Sequence, residues 1–512
     1  MAHKDRWDVV VIGSGLNGLT LANYLVKAGL EVLVLERRLE SGGGLATEEP
    51  TLTGYWANTG HYVFDTLGLM PFHEELGLDE MNVRFLHPEV QSALPLGDGR
   101  ALVIYADLER TLESLARFSR PDADAWRRFH RMGSAMPEPS RAPRARGGKA
   151  AVDRELERLR QMSPRDVLEE SFESEPVKAL LLHHLLIPRG IGLDDSGTGH
   201  FVAFAIACAG EGHLVQSGSH QLAQGLWTAV LKRGGDVWDL SEVTGILLEK
   251  GRAVAVELAG GRQFRARAIV STAAPRETFR LAGDRGIDAE LLARLDRIRP
   301  HELSIFAVHL ALREPPRFQA AATNPDVNRA FRYAIGLESV EEHAALWGEI
   351  RSGRLPAQAA MFVSIPSAHD PSQSPAGHHT ALLWQYVPRT LRGRSWGEAR
   401  EAFMTSCIDR LRRYAPNVSP QATLAAAAMT PDDHVAKFPD LAAGLFGGRN
   451  SGGQLGPFRP IPELGGFRTP IPGLYLAGAG LPPGAGLNPA PALGCLEVLA
   501  ADLRVERWWA RP

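Results

Sequence analysis

The chain has 512 residues, of which 44% are hydrophobic and 22% charged, a balance that is typical of a globular enzyme and excludes a disordered or fibrous protein. Because Lys and Arg number 56 against 59 Asp and Glu, the net charge of −3 provides no field to attract a nucleic acid, and we expect no such partner. The length exceeds that of one hydrophobic core, which predicts two packed domains.

The cysteines and the apolar segments indicate the cellular compartment in which the protein is expected. Cys208, Cys407 and Cys495 are far apart and form no CxxC pair, so the sequence predicts neither a disulfide framework nor a zinc site. The N-terminus lacks a signal-peptide pattern, and the longest apolar run, residues 201–209, is far shorter than the roughly 20 residues of a membrane-spanning helix. We expect a cytoplasmic protein that at most lies on a membrane surface.

The first predicted elements form one strand–helix–strand unit over residues 8–36, with Gly29 closing the helix. Residues 71–212 are mixed and contain predicted helices at 107–118, 124–131 and 164–184. The stretch 137–148, with three arginines among Pro, Ser and Gly, predicts a solvated surface loop, with an electrostatic membrane contact as the alternative.

Period-two patterns at 243–249, 253–258 and 263–270 predict a three-stranded meander. A last strand at 473–477, a Gly/Pro-rich turn and a helix from about residue 491 complete the first domain. The predicted fold class is α/β: a Rossmann-type nucleotide-binding domain with a β-meander (1–70, 213–282 and 425–512) and an interleaved α+β substrate domain (71–212 and 283–424).

Gly13, Gly15 and Gly18 form a GxGxxG motif between a buried strand and a helix, the context that makes this motif specific for a dinucleotide. The pyrophosphate would meet the free N–H groups and positive end of the helix. Glu36, at the end of the second strand, can accept both hydroxyls of an adenosine ribose and would repel a 2′-phosphate. The motif therefore predicts FAD or NAD.

Two further glycine-rich stretches allow close backbone approach to the same ligand. Gly42, Gly43 and Gly44 follow the second strand, where a plain flexible loop is the alternative. Residues 478–486 form a glycine-rich turn before the last helix, which can place N–H groups against the pyrimidine edge of an isoalloxazine ring.

Together these motifs resemble the phytoene-desaturase-like branch of the FAD-dependent amine-oxidase superfamily, including its carotene-ketolase-like members and its pyridine nucleotide-disulphide oxidoreductase domain-containing members. The supporting stretches are VVVIGSGLNGL (9–19), VLVLERRLESGGGLATEE (32–49), QSGSHQLAQGL (216–226), AIVSTAAP (268–275) and RTPIPGLYLAGAGLPPGAGLNPAPALGC (468–495). The resemblance implies FAD contacts at Gly13, Gly15, Gly18, Glu36, Arg38, Gly43, Gly44, Val243, Gly478, Gly480, Gly484, Gly486 and Leu487.

Similar enzymes commonly have Thr-His before the Pro-Gly of the last motif, and this chain departs from them with Leu481 and Pro482. The position of a common later glycine holds Asn488. We therefore expect an altered flavin edge on the substrate side.

Four residues are candidate acids or bases: His61, which in similar flavoproteins approaches the ring, and Glu211, His213 and His220, around the return to the first domain. For each of them an ordinary structural role is the alternative. His183 and His184 point to different sides of a helix, which favours core packing over a metal pair, and we expect no metal site.

The functional prediction is an FAD-dependent oxidoreductase that desaturates or oxidises a hydrophobic small molecule by hydride transfer to flavin, with isoprenoid- or carotenoid-like metabolites favoured by the resemblance alone. No second GxGxxG motif for NAD(P)H is visible in the interior. The alternatives are an oxygen-dependent ketolase or monooxygenase that needs an external reductant, and a flavin-binding interaction protein without turnover. The sequence leaves the oligomeric state open.

Overall fold

The computed structural model describes residues 4–66, 71–136, 150–298, 300–439, 456–484 and 488–510. The predicted loop at 137–148 and the site residues Gly486 and Leu487 lie outside these ranges. The strands are β1 (Arg6–Ile12), β2 (Val32–Leu35), β3 (Thr47–Glu48), β4 (Ala57–Asn58), β5 (Phe85–Leu86), β6 (Val90–Pro95), β7 (Ala101–Tyr105), β8 (Leu214–Val215), β9 (Asp236–Trp238), β10 (Val243–Glu249), β11 (Arg252–Leu258), β12 (Gln263–Ser271), β13 (Leu303–Leu312), β14 (Arg332–Ile335), β15 (Met361–Ser364), β16 (His379–Pro388), β17 (Thr423–Met429) and β18 (Leu474–Leu476).

The α-helices lie between these strands and cover both large sheets. They are α1 (Leu16–Lys27), α2 (Phe72–Glu75), α3 (Leu108–Ala116), α4 (Arg120–Ser134), α5 (Ala150–Leu159), α6 (Pro164–Ser171), α7 (Glu175–Arg189), α8 (Phe201–Cys208), α9 (His220–Lys232), α10 (Pro275–Leu281), α11 (Ala289–Asp296), α12 (Val340–Arg351), α13 (Trp396–Tyr414), α14 (Pro431–Lys437) and α15 (Ala490–Leu503).

The first sheet contains five parallel strands in the order β18–β12–β1–β2–β9. One edge of the long strand β12 pairs with β1, and the other edge is shared by two partners. Its first residues pair with the antiparallel strand β11 and its last residues with β18. The meander β10–β11–β12 is thus continuous with the parallel sheet, as the sequence predicted. Because parallel strands end at the same edge, the turns after β1, β2, β12 and β18 lie together.

Helices α1, α9 and α15 pack on one face of this sheet, and α10, α11 and the meander pack on the other. Strands β1 and β2 are apolar on both faces because they are covered on both sides, which explains their continuous valine and leucine runs. Gly29, at a φ of +85°, ends α1 as predicted.

The second sheet has the order β17–β13–β16–β15–β14–β6–β7, and all of its pairs are antiparallel except β14 with β6. Helix α13 covers one face, where it packs against Phe306 and neighbouring core residues. Helices α3, α4, α7, α8 and α12 cover part of the other face. The rest of that face packs against Tyr62 and Leu214, which belong to segments attached to the first sheet.

The predicted single helix over 164–184 is wrong, because the structure has two helices, α6 and α7. Phe172 is extended, with φ −132° and ψ 144°, and the next two N–H groups donate to the buried carboxylate of Asp122 at 2.8 and 2.9 Å. Pro176, the second residue of α7, lacks an N–H group and disfavours a helical residue before it, so it marks a helix start.

The domain limits stay a prediction. Phe72 and Leu78 pack in the core of the first sheet, and β17 crosses the predicted limit at residue 424. Within the described ranges, each helix is too short or too polar to cross a membrane.

Candidate active site

In the loop after β1, backbone atoms rather than side chains face the predicted position of the nucleotide. Gly13 has a φ of +96°, and a Cβ added to Gly18 would lie 2.0 Å from the carbonyl oxygen of Gly13. Only a glycine therefore lets α1 begin this close to β1. A Cβ on Gly15 would instead meet nothing nearer than Gly43 Cα at 3.8 Å, so this side of the loop is open. The geometry fits a pyrophosphate at the start of α1.

Glu36 lies at the end of β2 with 7% of its surface exposed, and it holds the glycine loop directly. Its Oε2 accepts hydrogen bonds from the backbone N–H of Ser14 at 2.9 Å and from the Ser14 hydroxyl at 2.8 Å, and its Oε1 accepts from Arg38 N–H at 3.0 Å. A carboxylate has about four acceptor positions, so one is left for a ribose hydroxyl.

The segment from Ser241 to Val243 runs beside Glu36 and Arg38. Ser241 N–H donates to the carbonyl oxygen of Glu36 at 2.6 Å, and Leu240 N–H donates to that of Arg38 at 3.0 Å. Val243, the first residue of β10, follows directly and is 9% exposed. The guanidinium carbon of Arg38 lies 5.8 Å from the centre of the Phe438 ring. The structure thus brings these predicted contacts to the Glu36 side of the site.

The second glycine stretch lies against the first. Gly42 N–H donates to the carbonyl oxygen of Ser14 at 2.9 Å, and a Cβ on Gly43, whose φ is +58°, would lie 3.0 Å from Gly15 Cα. A Cβ on Gly60 would be only 2.2 Å from the carbonyl oxygen of Gly44. The loop therefore continues the open backbone surface that begins at Gly15.

The C-terminal turn reaches the same edge of the sheet from the opposite end of the chain. A Cβ on Gly478 would lie 2.4 Å from the carbonyl oxygen of Thr272, whereas a Cβ on Gly480 would meet no atom within 4 Å. Gly484, at a φ of +74°, makes room for the buried Arg459, which places a positive charge beside the turn.

Leu481 is fully buried in the apolar cluster behind the first sheet, where its side chain packs behind the turn. The altered flavin edge expected from Leu481 and Pro482 stays a prediction. The Asn488 side chain accepts a hydrogen bond from Ala490 N–H at 3.0 Å, at the start of α15.

Asn17, which sequence reasoning missed, joins the two ends of the chain. Its side-chain oxygen accepts a hydrogen bond from Ala492 N–H, in the first turn of α15, at 3.1 Å. The positive ends of α1 and α15 consequently lie side by side at the predicted cofactor site. The sequence signal for this contact was the Asn inside the glycine motif. It was weak, because the motif accepts many residue types at that position.

The four acid–base candidates do not form one cluster. His61 donates its backbone N–H to the carbonyl oxygen of Gly44 at 2.8 Å, and burial lowers the pKa of its ring, partly offset by the Asp65 carboxylate. Glu211 is exposed. The partly exposed His213 stacks on His87 at 4.2 Å, and Nε2 of His220 lies 2.9 Å from the Gln224 amide nitrogen. Of the four, His61 is held against the predicted cofactor loop at Gly44, and His220 donates its backbone N–H to the nearby Thr47 hydroxyl at 3.1 Å.

A partly buried ion pair, also missed from the sequence, faces the predicted flavin loops from α14. Lys437 donates to Glu48 and, at 2.8 Å, to the hydroxyl of Thr59, which itself donates to Glu48 at 2.5 Å. Burial opposes ionisation of Glu48, but the hydrogen bonds from Lys437 and Thr59 outweigh it and hold the pKa of this carboxyl below its usual value. The pair ties β3 and β4 to the end of the second sheet.

The face of the second sheet that meets Tyr62 carries a row of laterally paired residues. Across the strands this row runs Ala427, His309, Leu382, Ser364, Arg332 and Ser92. The neighbouring row places Trp384 beside Phe362, and Tyr62 contacts the Trp384 ring at 4.9 Å. An apolar and aromatic surface therefore faces the chain segment that follows His61, with polar groups at both ends.

His309 is the polar group at one end, a single histidine in an apolar strand. It is 1% exposed, both of its ring nitrogens lack a hydrogen-bond partner in the part of the chain that the structure describes, and burial, with His434 and Lys437, lowers its pKa to about 3. It is therefore neutral. The lone histidine was visible in the sequence, but its neighbours come from distant segments.

In the described part of the chain, no group of three or more His, Cys, Asp and Glu side chains could hold a metal ion. His183 and His184 are buried in α7, as predicted; His183 packs against the ring of His343 at 4.7 Å, and His184 Nε2 lies 3.1 Å from the Ser92 hydroxyl.

Comparison with known proteins agrees with this geometry. The chain is 30% identical to one limonene dehydrogenase subunit, from Castellaniella defragrans, in an alignment that covers 100% of this chain and 98% of that protein. It is 27% identical to hydroxyneurosporene desaturase from Cereibacter sphaeroides, with coverages of 97% and 98%. A crystal structure of an oxidoreductase from Methanosarcina mazei has the same fold, with a TM-score of 0.63, 18% identity, and coverages of 96% and 99%.

The description of the matching family is flavin-containing amine oxidoreductase, and the match covers residues 16–485. This range begins at α1, directly after the loop that Glu36 holds, and includes the second sheet, the strands of the first sheet other than β1, and most of the C-terminal turn. The predicted family resemblance, fold class and cofactor are confirmed. The chain therefore belongs to the flavin-containing amine oxidoreductase family, and it is an FAD-dependent oxidoreductase.

Proposed function

We propose that this enzyme dehydrogenates a lipophilic small molecule, introducing a double bond or oxidising an existing group. The observation that carries the proposal is the apolar and aromatic face of the second sheet, with Leu382 and Trp384, opposite Tyr62 and next to His61. Limonene dehydrogenase and hydroxyneurosporene desaturase are named for isoprenoid substrates, which supports the same class here.

The bound FAD would supply the hydride acceptor, and the protein supplies orientation and exclusion of water. Phe331, Leu382 and Trp384 present apolar surface from the sheet, and Tyr62 packs against two of their rings, at 6.0 Å from Phe331 and 4.9 Å from Trp384. A flat hydrocarbon skeleton between this surface and the predicted flavin loops would be held without polar contacts along its length.

We assign to His61 the acceptance of the proton that leaves with the hydride. Its lowered pKa keeps the imidazole neutral at pH 7, the state that can accept a proton. The hydrogen bond from its backbone to Gly44 fixes its distance from the predicted flavin loop. Replacement by Gln should lower the rate of flavin reduction about 10²- to 10⁴-fold without emptying the cofactor site. An unchanged rate would remove His61 from this role.

A cytoplasmic location with a peripheral membrane contact is part of the same proposal, because a substrate of this class partitions into lipid. Leu39 and Leu240 are 70% and 69% exposed and lie on segments joined by the Leu240–Arg38 backbone hydrogen bond. Cosedimentation with neutral vesicles should fall when both are replaced by Ser. Equal cosedimentation would argue against this contact.

The test of the reaction is anaerobic reduction of the flavin in the purified enzyme. Addition of limonene or of a linear isoprenoid should bleach the flavin bands, while NADPH alone should not. Bleaching by NADPH would favour the monooxygenase or ketolase alternative. No bleaching by any lipophilic compound or reductant would favour the flavin-binding protein without turnover.

A further inference from the structure

Arg332 is a buried guanidinium with part of its hydrogen-bonding capacity unused. It begins strand β14, pairs with Ser92 on one side and Ser364 on the other, and is 3% exposed. Its Nε and Nη2 have no hydrogen-bond partner among the residues that the structure describes. These two nitrogens form one edge of the guanidinium plane, and their N–H groups can bind both oxygens of one carboxylate.

The titratable groups that act on Arg332 include a second arginine, Arg189. The Asp65 carboxylate is near Arg332, but Asp65 Oδ2 already accepts a hydrogen bond from Arg189 Nη2 at 3.0 Å. Burial together with the two arginines holds the pKa of His184 well below its usual value, and burial raises the pKa of Tyr62 to about 12. Both side chains are therefore neutral at pH 7. The Asp65 carboxylate therefore lies near both guanidinium groups.

Two further titratable neighbours of the arginines are neutral. Burial raises the pKa of the Cys208 thiol to about 12 and raises that of the Tyr386 phenol well above its usual value, so both are neutral. A buried charge that lacks a partner costs several kcal/mol in folding free energy. A protein that keeps such a charge commonly uses it, since groups that lower stability without a structural role concentrate at functional sites.

Arg332 lies at one end of the proposed substrate surface, with its Nη2 beside Gly212, where an added Cβ would lie 2.9 Å from it. Arg332 occupies the same row of the sheet as Leu382, two strands away, and its electrostatic neighbours include Tyr62. Tyr62 follows His61, whose backbone is hydrogen-bonded to Gly44 in the predicted flavin loop. The guanidinium is thus positioned for the end of a molecule whose middle lies against Tyr62 and Trp384.

We propose that Arg332 binds a carboxylate at one end of the substrate, which is accordingly an apolar molecule with an acidic terminus. This inference rests on the proposed function, since it takes the Tyr62 and Trp384 surface as the place of the apolar body. The carboxylate would pair with the Arg332 guanidinium and accept the hydrogen bonds of its Nε and Nη2.

Calorimetric titration of the flavin-loaded protein tests the inference with four probes: geranic acid, geraniol, limonene and acetate. Wild type should bind geranate at least about tenfold more tightly than geraniol and limonene, a difference of about 1.4 kcal/mol. Arg332→Met should lose this preference and keep the affinity for limonene. The matched control is Arg329→Met, which removes a 57%-exposed arginine three residues earlier.

Equal geranate affinity in wild type and Arg332→Met would overturn the inference. So would acetate binding as tightly as geranate, because the site would then take a small anion without an apolar body. Arg332→Lys keeps the positive charge but lacks the two parallel N–H donors of the guanidinium, so it should weaken geranate binding at least about threefold. If the Met variant does not fold, this Lys variant tests the inference in its place.

Thermal unfolding without ligand provides a second readout. Because Met removes a buried charge that lacks a partner, the Tm of Arg332→Met should equal or exceed that of wild type. A lower Tm with unchanged geranate binding would assign Arg332 a purely structural role.

The two proposals can fail separately. If geranate binding depends on Arg332 but no flavin reduction is seen, the proposed reaction is contradicted and the carboxylate site stands. If flavin is reduced but geranate binding does not depend on Arg332, the carboxylate site is contradicted and the proposed reaction stands.

Discussion

Glu36 shapes the glycine loop, and we predict that the same side chain recognises the ribose of the cofactor. Its carboxylate accepts two hydrogen bonds from Ser14, so replacing it with Arg removes the loop's support and places a positive charge where the ribose hydroxyls need an acceptor. Glu36→Arg should lose FAD, measured as the ratio of absorbance at the flavin maximum to that at 280 nm. Glu31→Arg, the same change at the exposed position just before β2, should keep it. Stoichiometric flavin in the Glu36 variant would refute this placement of the ribose.

At the scale of elements, the break between α6 and α7 depends on a side chain from α4. Asp122 is fully buried and accepts hydrogen bonds from the backbone N–H groups of Glu173 and Ser174. These two N–H groups lie at the break and have no partner within a helix. Hydrogen bonds to a charged group contribute about 1.5–3 kcal/mol each, so Asp122→Ala should lower the free energy of unfolding by about 3–6 kcal/mol in urea titration. Asp124→Ala, on the exposed side of the same helix, should change it by less than about 0.5 kcal/mol. Similar values for the two variants would mean that Asp122 does not support the break.

The link between β3 and α14 should make stability depend on pH. Because the pKa of Glu48 in the folded protein lies below its ordinary value of 4.5, the pair with Lys437 adds stability above pH 4.5 and loses it as the pH falls through the folded-state pKa. Glu48→Gln should therefore be less stable than wild type by about 1 kcal/mol at pH 7, since the pair is partly exposed, and the difference should shrink below pH 4.5. Urea titrations at several pH values measure this, with the exposed Glu49→Gln as control. A difference that grows on acidification would contradict the assignment.

The elements of the first sheet could be predicted because their signals are local. Each signal lies within a few residues of the element that it predicts. The examples are the apolar runs of β1 and β2, the glycine loop between β1 and α1, and the turns of the meander. The second sheet gave no such signal, because β6 pairs with β14 from a distant part of the chain. The site residues divide in the same way. A local motif identifies Gly13 and Glu36. The neighbours of His309, Arg332 and Lys437 are set by long-range pairing, so the sequence did not single these residues out.

On the scale of the whole molecule, the predicted cofactor site lies where the two ends of the chain meet. Strand β18 adds to the first sheet beside β12, and α15 packs against α1 with its first turn bonded to Asn17. Since each end supplies one helix terminus to the site, neither can bind the dinucleotide fully without the other. FAD binding should therefore order the two ends together, because a ligand that binds only the assembled form stabilises everything that assembly requires.

Hydrogen–deuterium exchange of apoprotein and FAD-loaded protein measures this coupling directly. Loading should slow exchange of the amides in residues 13–19 and 490–496 to a similar extent, and leave α13, on the far face of the second sheet, little changed. Asn17→Ala removes the acceptor of the Ala492 N–H group, so protection of 490–496 should fall more than that of 13–19 when the variant is saturated with FAD. Protection confined to the N-terminal segment in wild type would mean that the C-terminal turn does not contact the cofactor, and that the two ends pack together for stability alone.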